Sequence, residues 1–80
     1  MSAAAQPHLL DRITTDPAVC GGRPCIRGTR LRVVDVLEAL AGGDTRADLL
    51  SAFPYLEDED ISAALRYAAR SADHATLPVS

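Results

Sequence analysis

Residues 23–33 read Arg23-Pro24-Cys25-Ile26-Arg27-Gly28-Thr29-Arg30-Leu31-Arg32-Val33. The Arg27-Gly28 pair favours a turn, so this stretch predicts a β-hairpin with one arm on each side of the pair. Side chains alternate between the two faces of a strand, which directs Ile26, Thr29, Leu31 and Val33 toward a core. The arginines at the other positions then face away from that core, and the hairpin becomes an arginine-rich ribbon.

This ribbon is a candidate binding surface for an anion. Repulsion among the guanidinium groups of Arg23, Arg27, Arg30 and Arg32 costs energy unless a negative partner relieves it. The planar fork of arginine matches phosphate oxygens and the guanine edge, so these residues and Thr29 are candidate contacts. The alternative is structural: Gly28-Thr29-Arg30 would maintain the turn, and the guanidiniums would pair with Asp16 or with the acids of residues 57–60 in a partner subunit.

The segment before the ribbon predicts a tail and a short strand. Residues 1–8 are small and polar without periodicity, which is typical of a disordered tail. Ile13-Thr14-Thr15 is β-branched and is closed by Asp16-Pro17, a combination that favours a strand followed by a turn.

Helical spacing begins where the ribbon ends. The apolar residues that recur on one helical face are Val33, Val36, Leu37, Leu40 and Ala41. Gly42-Gly43 ends this first helix, because the first glycine can adopt the left-handed conformation that satisfies the last carbonyls. Thr45 and Asp48 then have the spacing of a capping box for a second helix, which Pro54 stops. Its predicted apolar stripe is Ala47, Leu50 and Phe53.

A third helix is predicted to run to about Ser71. Leu56 and Ile61 have the spacing of a hydrophobic staple at its start, and residues 57–60 place four acids in its first turn, where the helix dipole favours negative charge. Its predicted apolar stripe is Ile61, Ala64, Leu65, Ala68 and Ala69.

These elements predict a mainly α fold: a three-helix, helix-turn-helix-like bundle preceded by a short N-terminal strand and a β-hairpin. The 80 residues fit one domain and leave no room for a second core. We place it at residues 9–72, between the tail 1–8 and a frayed C-terminal tail 73–80. The core is thin, with one Phe, two Tyr and no Trp, so a homodimer is the expected oligomeric state.

The net charge of −3 conceals an asymmetry along the chain. Residues 1–32 carry a net charge of +3, whereas residues 33–80 carry −6. The total argues weakly against nucleic acid as a partner, but the basic segment supports it. The acidic start of the third helix disfavours its insertion into a major groove, so the ribbon, Arg46 or Arg66 would carry the phosphate contacts.

Several classes of function find no support in the sequence. It contains no nucleophile with a base, no phosphate loop and no metal cluster, so we expect no enzyme activity, no cofactor and no small-molecule substrate. Cys20, Cys25, His8 and His74 could nominally supply four zinc ligands, but the histidines lie in opposite tails, and free thiols are expected instead. Neither a signal peptide nor an apolar run of ~18 residues is present, which predicts a cytoplasmic protein without membrane contact.

The chain resembles a bacterial family known as domain of unknown function 433. The resemblance is carried by Asp16-Pro17, by residues 20–30, by Phe53-Pro54-Tyr55-Leu56, and by Asp60-Ile61 with residues 63–68, and it covers roughly residues 12 to 70. It implies a small helix-turn-helix-like domain that is often regarded as an antitoxin for a PIN-like ribonuclease toxin encoded beside it. Antitoxins of this general kind bind their own operator DNA and also block the toxin.

Two hypotheses follow. The first is an antitoxin-like, homodimeric transcription regulator of a type II toxin-antitoxin system, which binds its operator through the ribbon and neutralises the nuclease. The alternative is a protein-interaction module that inhibits a nuclease without touching DNA. Tyr55 and Tyr67 are amphipathic rings suited to an interface with a second copy or the toxin.

Overall fold

In the computed structural model, which describes residues 8–74, two short strands precede three helices. Strand β1 spans Ile13–Thr14 and strand β2 spans Cys25–Ile26, and they pair antiparallel with Ile13 opposite Ile26. Short 3₁₀ turns at Leu9–Arg12 and Cys20–Gly22 precede each strand. The predicted mainly α architecture with a short antiparallel hairpin at its N-terminal side is therefore confirmed.

The pairing of the strands differs from the prediction in one respect. β2 pairs with the upstream β1, whereas the predicted second arm of the ribbon contributes a single bridge between Cys25 and Arg32. Helix α1 begins at Val33, so the chain enters a helix before a longer strand can form. Two backbone hydrogen bonds still hold the arm in place: Ile26 N–H donates to Leu31 O at 2.9 Å, and Val33 N–H donates to Pro24 O at 2.9 Å.

The three helices are α1 at Val33–Ala41, α2 at Arg46–Ala52 and α3 at Asp58–His74. Gly42 keeps a right-handed helical conformation, and Gly43 has the positive φ of 109°. The left-handed residue that ends α1 is therefore the second glycine, whereas the sequence predicted the first. The capping box of α2 forms as predicted, because Asp48 N–H donates to Thr45 Oγ1 at 3.0 Å and Thr45 N–H donates to Asp48 Oδ2 at 2.8 Å. Helix α3 extends three residues beyond Ser71.

The core lies where β2, the arm before α1 and the three helices meet. Ile26, Leu31 and Val33 are buried, as the predicted alternation requires. The other buried members of the core cluster are Val36, Leu49, Leu56, Ile61 and Ala64. Leu56 and Ile61 belong to the same cluster, which places the predicted staple residues together at the start of α3.

Two helices are rotated relative to their predicted stripes. In α2 the buried residue is Leu49, while Ala47 is exposed, because the face that carries Arg46, Leu49 and Phe53 is turned toward α3. In α3 the packed face carries Asp60, Ala63 and Ala64, whereas Leu65 is 42% exposed. The small side chain of Ala63 and the contact of Asp60 with the first 3₁₀ turn account for this rotation.

The predictions for residues 1–7 and 75–80 lie outside the described residues. Residues 73 and 74 continue α3, so the predicted domain boundary at residue 72 falls inside that helix. No helix in the described range is long and apolar enough to cross a membrane.

Candidate functional site

The candidate site is built on residues 23–30, which we call the arginine loop. They follow the second 3₁₀ turn, include β2 and lead to residues 31–32 before α1. Arg23 N–H donates to Cys20 O at 3.1 Å, and Arg27 N–H donates to Arg12 O at 2.7 Å. Gly28 has a φ of 82°, a conformation that L side chains rarely adopt, so the glycine is required for the tight turn. The backbone that carries the arginines is therefore held in place by hydrogen bonds at several points.

Thr29 serves the turn of the arginine loop. Its hydroxyl donates to Ile26 O at 2.8 Å and accepts from Leu31 N–H at 3.0 Å, and its own N–H donates to Ile26 O at 3.0 Å. Because the hydroxyl both donates and accepts within the turn, Thr29 has a structural role in maintaining the turn and is not suited to direct contact with a partner. It acts by fixing the positions of its neighbours Arg27 and Arg30.

Three guanidinium groups of the arginine loop are free. Arg23, Arg27 and Arg30 are all exposed, and none of them forms an ion pair with a carboxylate of residues 8–74. Exposed carboxylates exist elsewhere in the described residues, for example Glu38 on α1 and Glu59 on α3, so the lack of pairing reflects placement and not a shortage of acid. The loop therefore presents uncompensated positive charge to solvent.

Arg32 is engaged within its own chain. Its Nε and Nη2 donate to the two oxygens of Asp35 at 3.2 and 3.1 Å, and its backbone N–H also donates to Asp35 at 3.2 Å. These bonds raise the pKa of Arg32 and lower the pKa of Asp35. Arg32 thus stabilises the start of α1, and its charge is neutralised locally.

Arg46 is also neutralised within the chain. It donates to Asp58 Oδ1 at 2.8 Å, to Asp58 O at 3.0 Å and to Ser62 Oγ at 2.6 Å, which joins α2 to the first turns of α3. The hydrogen bond from Arg46 lowers the pKa of Asp58. Arg46 was a candidate phosphate contact in the sequence, and its structural position is that of a clamp between two helices.

Arg12 joins two distant parts of the fold, and nothing in the sequence indicated this role. Its Nη1 lies 2.6 Å from Glu57 Oε1 and 3.0 Å from Asp60 Oδ1. The hydrogen bond to Glu57, followed by the one to Asp60, raises the pKa of Arg12. Three of the four acids of residues 57–60, namely Glu57, Asp58 and Asp60, are therefore engaged by Arg12 and Arg46 of the same chain. No local sequence signal predicts this pairing, since the partners are 45 and 48 residues apart.

The remaining candidate residues lie elsewhere on the surface. Arg66 is exposed on α3 and forms no ion pair within the described part of the chain. Tyr55 is 56% exposed in the turn between α2 and α3, where its ring lies 6.0 Å from the ring of Phe53. Tyr67 is half-buried, because one side packs against the core cluster. Its other side lines a surface groove, so the two tyrosines do not share one site.

That groove, which we call the α1–α3 groove, has a volume of about 290 Å³. Its apolar lining comes from Val34 and Leu37 of α1 and from Tyr67 and Ala68 of α3. Arg23 of the arginine loop also lines it. The groove was not predicted, although Val34 gave a signal: it is an apolar residue off the core stripe of the first helix, and it is 41% exposed.

The two cysteines flank Arg23 in the sequence and are free thiols, as expected. Cys25 is buried, and desolvation raises its pKa, with a further contribution from the neighbouring Cys20 thiol. Cys20 is half-buried and its Sγ lies 3.2 Å from Arg30 O. Within residues 8–74 no group of three or more His, Cys, Asp or Glu side chains is arranged to hold a metal ion.

Comparisons with known proteins agree on one family. The family model described as protein of unknown function (DUF433) matches residues 13–68. The protein y4eO of Sinorhizobium fredii, described as uncharacterized, is 41% identical over 56 residues. That match covers 70% of this chain and 25% of y4eO, so the chain spans about a quarter of the relative's length. A crystal structure of a DUF433 member from Anabaena variabilis has a TM-score of 0.75 and 32% identity, and the match covers 90% of this chain and 71% of that one.

Proposed function

The chain belongs to the DUF433 family of proteins of unknown function, and from that premise we propose that it is an antitoxin-like regulator that binds operator DNA through its arginine loop and neutralises a PIN-like ribonuclease. The antitoxin role is what the resemblance to this family implies. The DNA-binding role is argued from the charges and contacts of the loop. In this proposal the chain acts as a homodimer and performs no catalysis.

The observation that carries the proposal is the division of the arginines into two groups. Arg12, Arg32 and Arg46 are paired with acids of the same chain and hold elements together. Arg23, Arg27 and Arg30 are exposed without a carboxylate partner among residues 8–74, as are Arg66 and Arg70 of α3, but only the first three lie together on one loop. Unpaired guanidiniums are suited to phosphate oxygens, because each presents a planar fork of donors. The hydrogen-bonded backbone of the loop limits the order that must be gained on binding to the side chains.

The acidic start of α3 determines how DNA would be approached. Helix-turn-helix proteins insert the N-terminal residues of the recognition helix into the major groove. Here that end carries Asp58, Glu59 and Asp60 in its first turn. Pairing with Arg12 and Arg46 reduces this charge, but Glu59 remains exposed. We therefore assign the phosphate contacts to the arginine loop, with Arg66 as a further contact on α3, and we assign Arg32, Arg46 and Thr29 supporting roles.

The test is DNA binding by the full chain, measured as fluorescence anisotropy of the DNA that lies upstream of its gene. We expect Arg27→Glu combined with Arg30→Glu to weaken binding by at least about tenfold, because two phosphate contacts are replaced by repulsion. Arg70→Glu lowers the net charge in the same direction at an exposed position outside the loop, so it serves as the charge control and should weaken binding far less. Equal affinity of the loop variant and the unaltered chain would contradict the proposal.

A second candidate function is nuclease inhibition without DNA binding. It is favoured by the engagement of Arg32 and Arg46, which removes two of the predicted phosphate contacts, and by the net charge of −3. Under this alternative the free arginines would occupy the acidic, metal-holding site of a PIN-like nuclease. RNA cleavage by the co-expressed nuclease should then return with Arg30→Glu, while the unaltered chain shows no affinity for upstream DNA at low salt.

A further inference from the structure

We propose that the α1–α3 groove is the docking site for an amphipathic helix of a partner protein, and that a carboxylate on this helix pairs with Arg23. The inference rests on the partner-binding half of the proposed function and adds to it a location and a chemical description of the partner segment. Three features of the groove carry it: its exposed apolar lining, the single free charge at its edge, and its shape.

Part of the apolar lining lies open to solvent. The core stripe of α1 is formed by Val33 and Val36, which are buried, whereas Val34 is 41% exposed. Leu37 and Tyr67 reach the core on one side and line the groove on the other. An apolar concavity that is left open to water favours a partner that covers it, because removal of apolar surface from water is the main favourable contribution to association.

The charge at the groove selects the chemistry of the partner. Arg23 is the charged residue among those that line the groove, it is exposed, and no carboxylate of residues 8–74 pairs with it. Its backbone is fixed by the hydrogen bond from Arg23 N–H to Cys20 O. A guanidinium beside an apolar surface is satisfied best by a carboxylate that arrives with the apolar side chains, since water is displaced from both. The partner segment is therefore apolar with an acidic residue next to its anchors.

The shape of the groove favours a helical segment. Its walls are the helices α1 and α3, and the small side chains of Ala68 and Ser71 allow a close approach along α3. Its volume of about 290 Å³ lies just below the range of ~300–1,000 Å³ typical of small-molecule and cofactor sites, so it suits a few side chains better than a large cofactor. Helices dock in such grooves with apolar anchors three or four residues apart.

The experiment is a selection of binding peptides from a displayed library of short helices with one randomised face, using the full chain as the target. We expect the selected peptides to share two apolar residues at i and i+3 or i+4, with Asp or Glu beside them. With Arg23→Glu as the target, the acidic preference should change to Lys or Arg. This reversal is a result that a purely structural role of Arg23 would not produce.

Affinity measurements with a selected peptide provide matched controls. Val34→Asp should weaken binding by at least about tenfold, since a charge is placed against the apolar anchors. Leu65→Asp is the control, because Leu65 is 42% exposed on α3 and does not line the groove. Arg27→Glu with Arg30→Glu should weaken DNA binding by at least about tenfold and leave peptide binding unchanged, which separates failure of the groove from failure of the DNA-binding proposal.

Three results would overturn the inference. The first is a selected consensus that is the same for the unaltered chain and for Arg23→Glu. The second is unchanged peptide affinity with Val34→Asp. The third is occupation of the groove by the chain itself: either Val34→Asp converts a dimer into a monomer, which assigns the groove to a second copy, or removal of residues 75–80 increases peptide affinity, which assigns it to the chain's own C-terminal residues.

Discussion

Arg12 Nη1 lies 3.0 Å from Asp60 Oδ1, and this ion pair joins the first 3₁₀ turn to the start of α3 across 48 residues of sequence. Asp60 is the buried charged residue of the described chain, at 7% exposure. It also accepts from Glu57 N–H at 2.9 Å, so it caps α3 and receives Arg12 at the same time. The first 3₁₀ turn and the last helix are thus joined at one carboxylate.

We predict that Arg12→Met lowers the free energy of unfolding by about 1–3 kcal/mol, because the Asp60 carboxylate loses its charged partner in a mostly buried position. Urea denaturation followed by circular dichroism measures the effect. Arg70→Met is the matched control, since Arg70 is exposed and unpaired in the described range, and it should change stability by less than ~0.5 kcal/mol. Equal effects of the two substitutions would show that the ion pair does not stabilise the fold.

The capping box of α2 gives a second prediction. Thr45→Ala should cost about 0.5–2 kcal/mol, because Asp48 N–H loses the acceptor that it contacts at 3.0 Å. Thr45→Ser retains the hydroxyl and should restore most of the loss. The measurement is the urea midpoint of the three proteins, and a Thr45→Ser variant as unstable as Thr45→Ala would contradict the role of the hydroxyl.

The paired aspartates predict how stability depends on pH. Hydrogen bonds from Arg32 lower the pKa of Asp35, and those from Arg46 lower the pKa of Asp58, relative to the ordinary value of 3.8. A carboxyl whose pKa is lower in the folded state stabilises the fold fully above its unfolded pKa. That contribution is lost as the pH falls through the folded pKa. Stability should therefore decrease below about pH 4.

The contribution of Asp35 to this acid dependence is measurable by substitution. In urea titrations at a series of acidic pH values, Asp35→Asn should be less stable than the unaltered chain near neutrality and should show a shallower loss in acid. Glu38→Gln on the same helix is the control, because Glu38 is exposed and has no ion pair among the described residues. If Asp35→Asn and the unaltered chain lose stability in parallel, the pair with Arg32 is not the cause.

The cysteines provide a prediction about reactivity. Burial raises the pKa of the Cys25 thiol, so the reactive thiolate is scarcer at neutral pH than for an ordinary cysteine. In the native chain, iodoacetamide should modify the half-buried Cys20 before the buried Cys25, and both should react after unfolding in urea. Mass spectrometry of peptides assigns the modified residue. Preferential modification of Cys25 in the native chain would be inconsistent with its placement in the core.

Local patterns in the sequence predicted the elements of this fold, and long-range contacts decided the rest. The spacing of Thr45 and Asp48 predicted the cap of α2, because both partners lie within one helical turn. The orientation of α3 could not be predicted in this way. The Arg12–Asp60 contact turns Ala63 inward and leaves Leu65 exposed. The periodicity of α3 does not indicate which of its apolar faces is buried.

The candidate site shows the same division. Alternation in residues 23–33 predicted that Ile26 and Val33 would be buried and that the arginines would lie outside the core. It did not predict which arginines remain free. Arg32 pairs with Asp35, which lies three residues away and within one helical turn. Arg46 pairs with Asp58 only because α2 packs against α3. The α1–α3 groove depends on the packing of two helices, so only the position of Val34 gave a hint of it.

The most direct measurement of the central claim is the dependence of DNA affinity on salt. For the unaltered chain, the logarithm of affinity for upstream DNA should fall linearly with the logarithm of salt concentration, with a slope of about −0.9 for each phosphate contact. Replacement of Arg23, Arg27 and Arg30 by Ala should make this slope shallower by up to about 2.7 for each bound chain. Arg70→Ala should leave it nearly unchanged. A slope that is the same with and without the three loop arginines would contradict the assignment of the arginine loop as the surface that binds DNA.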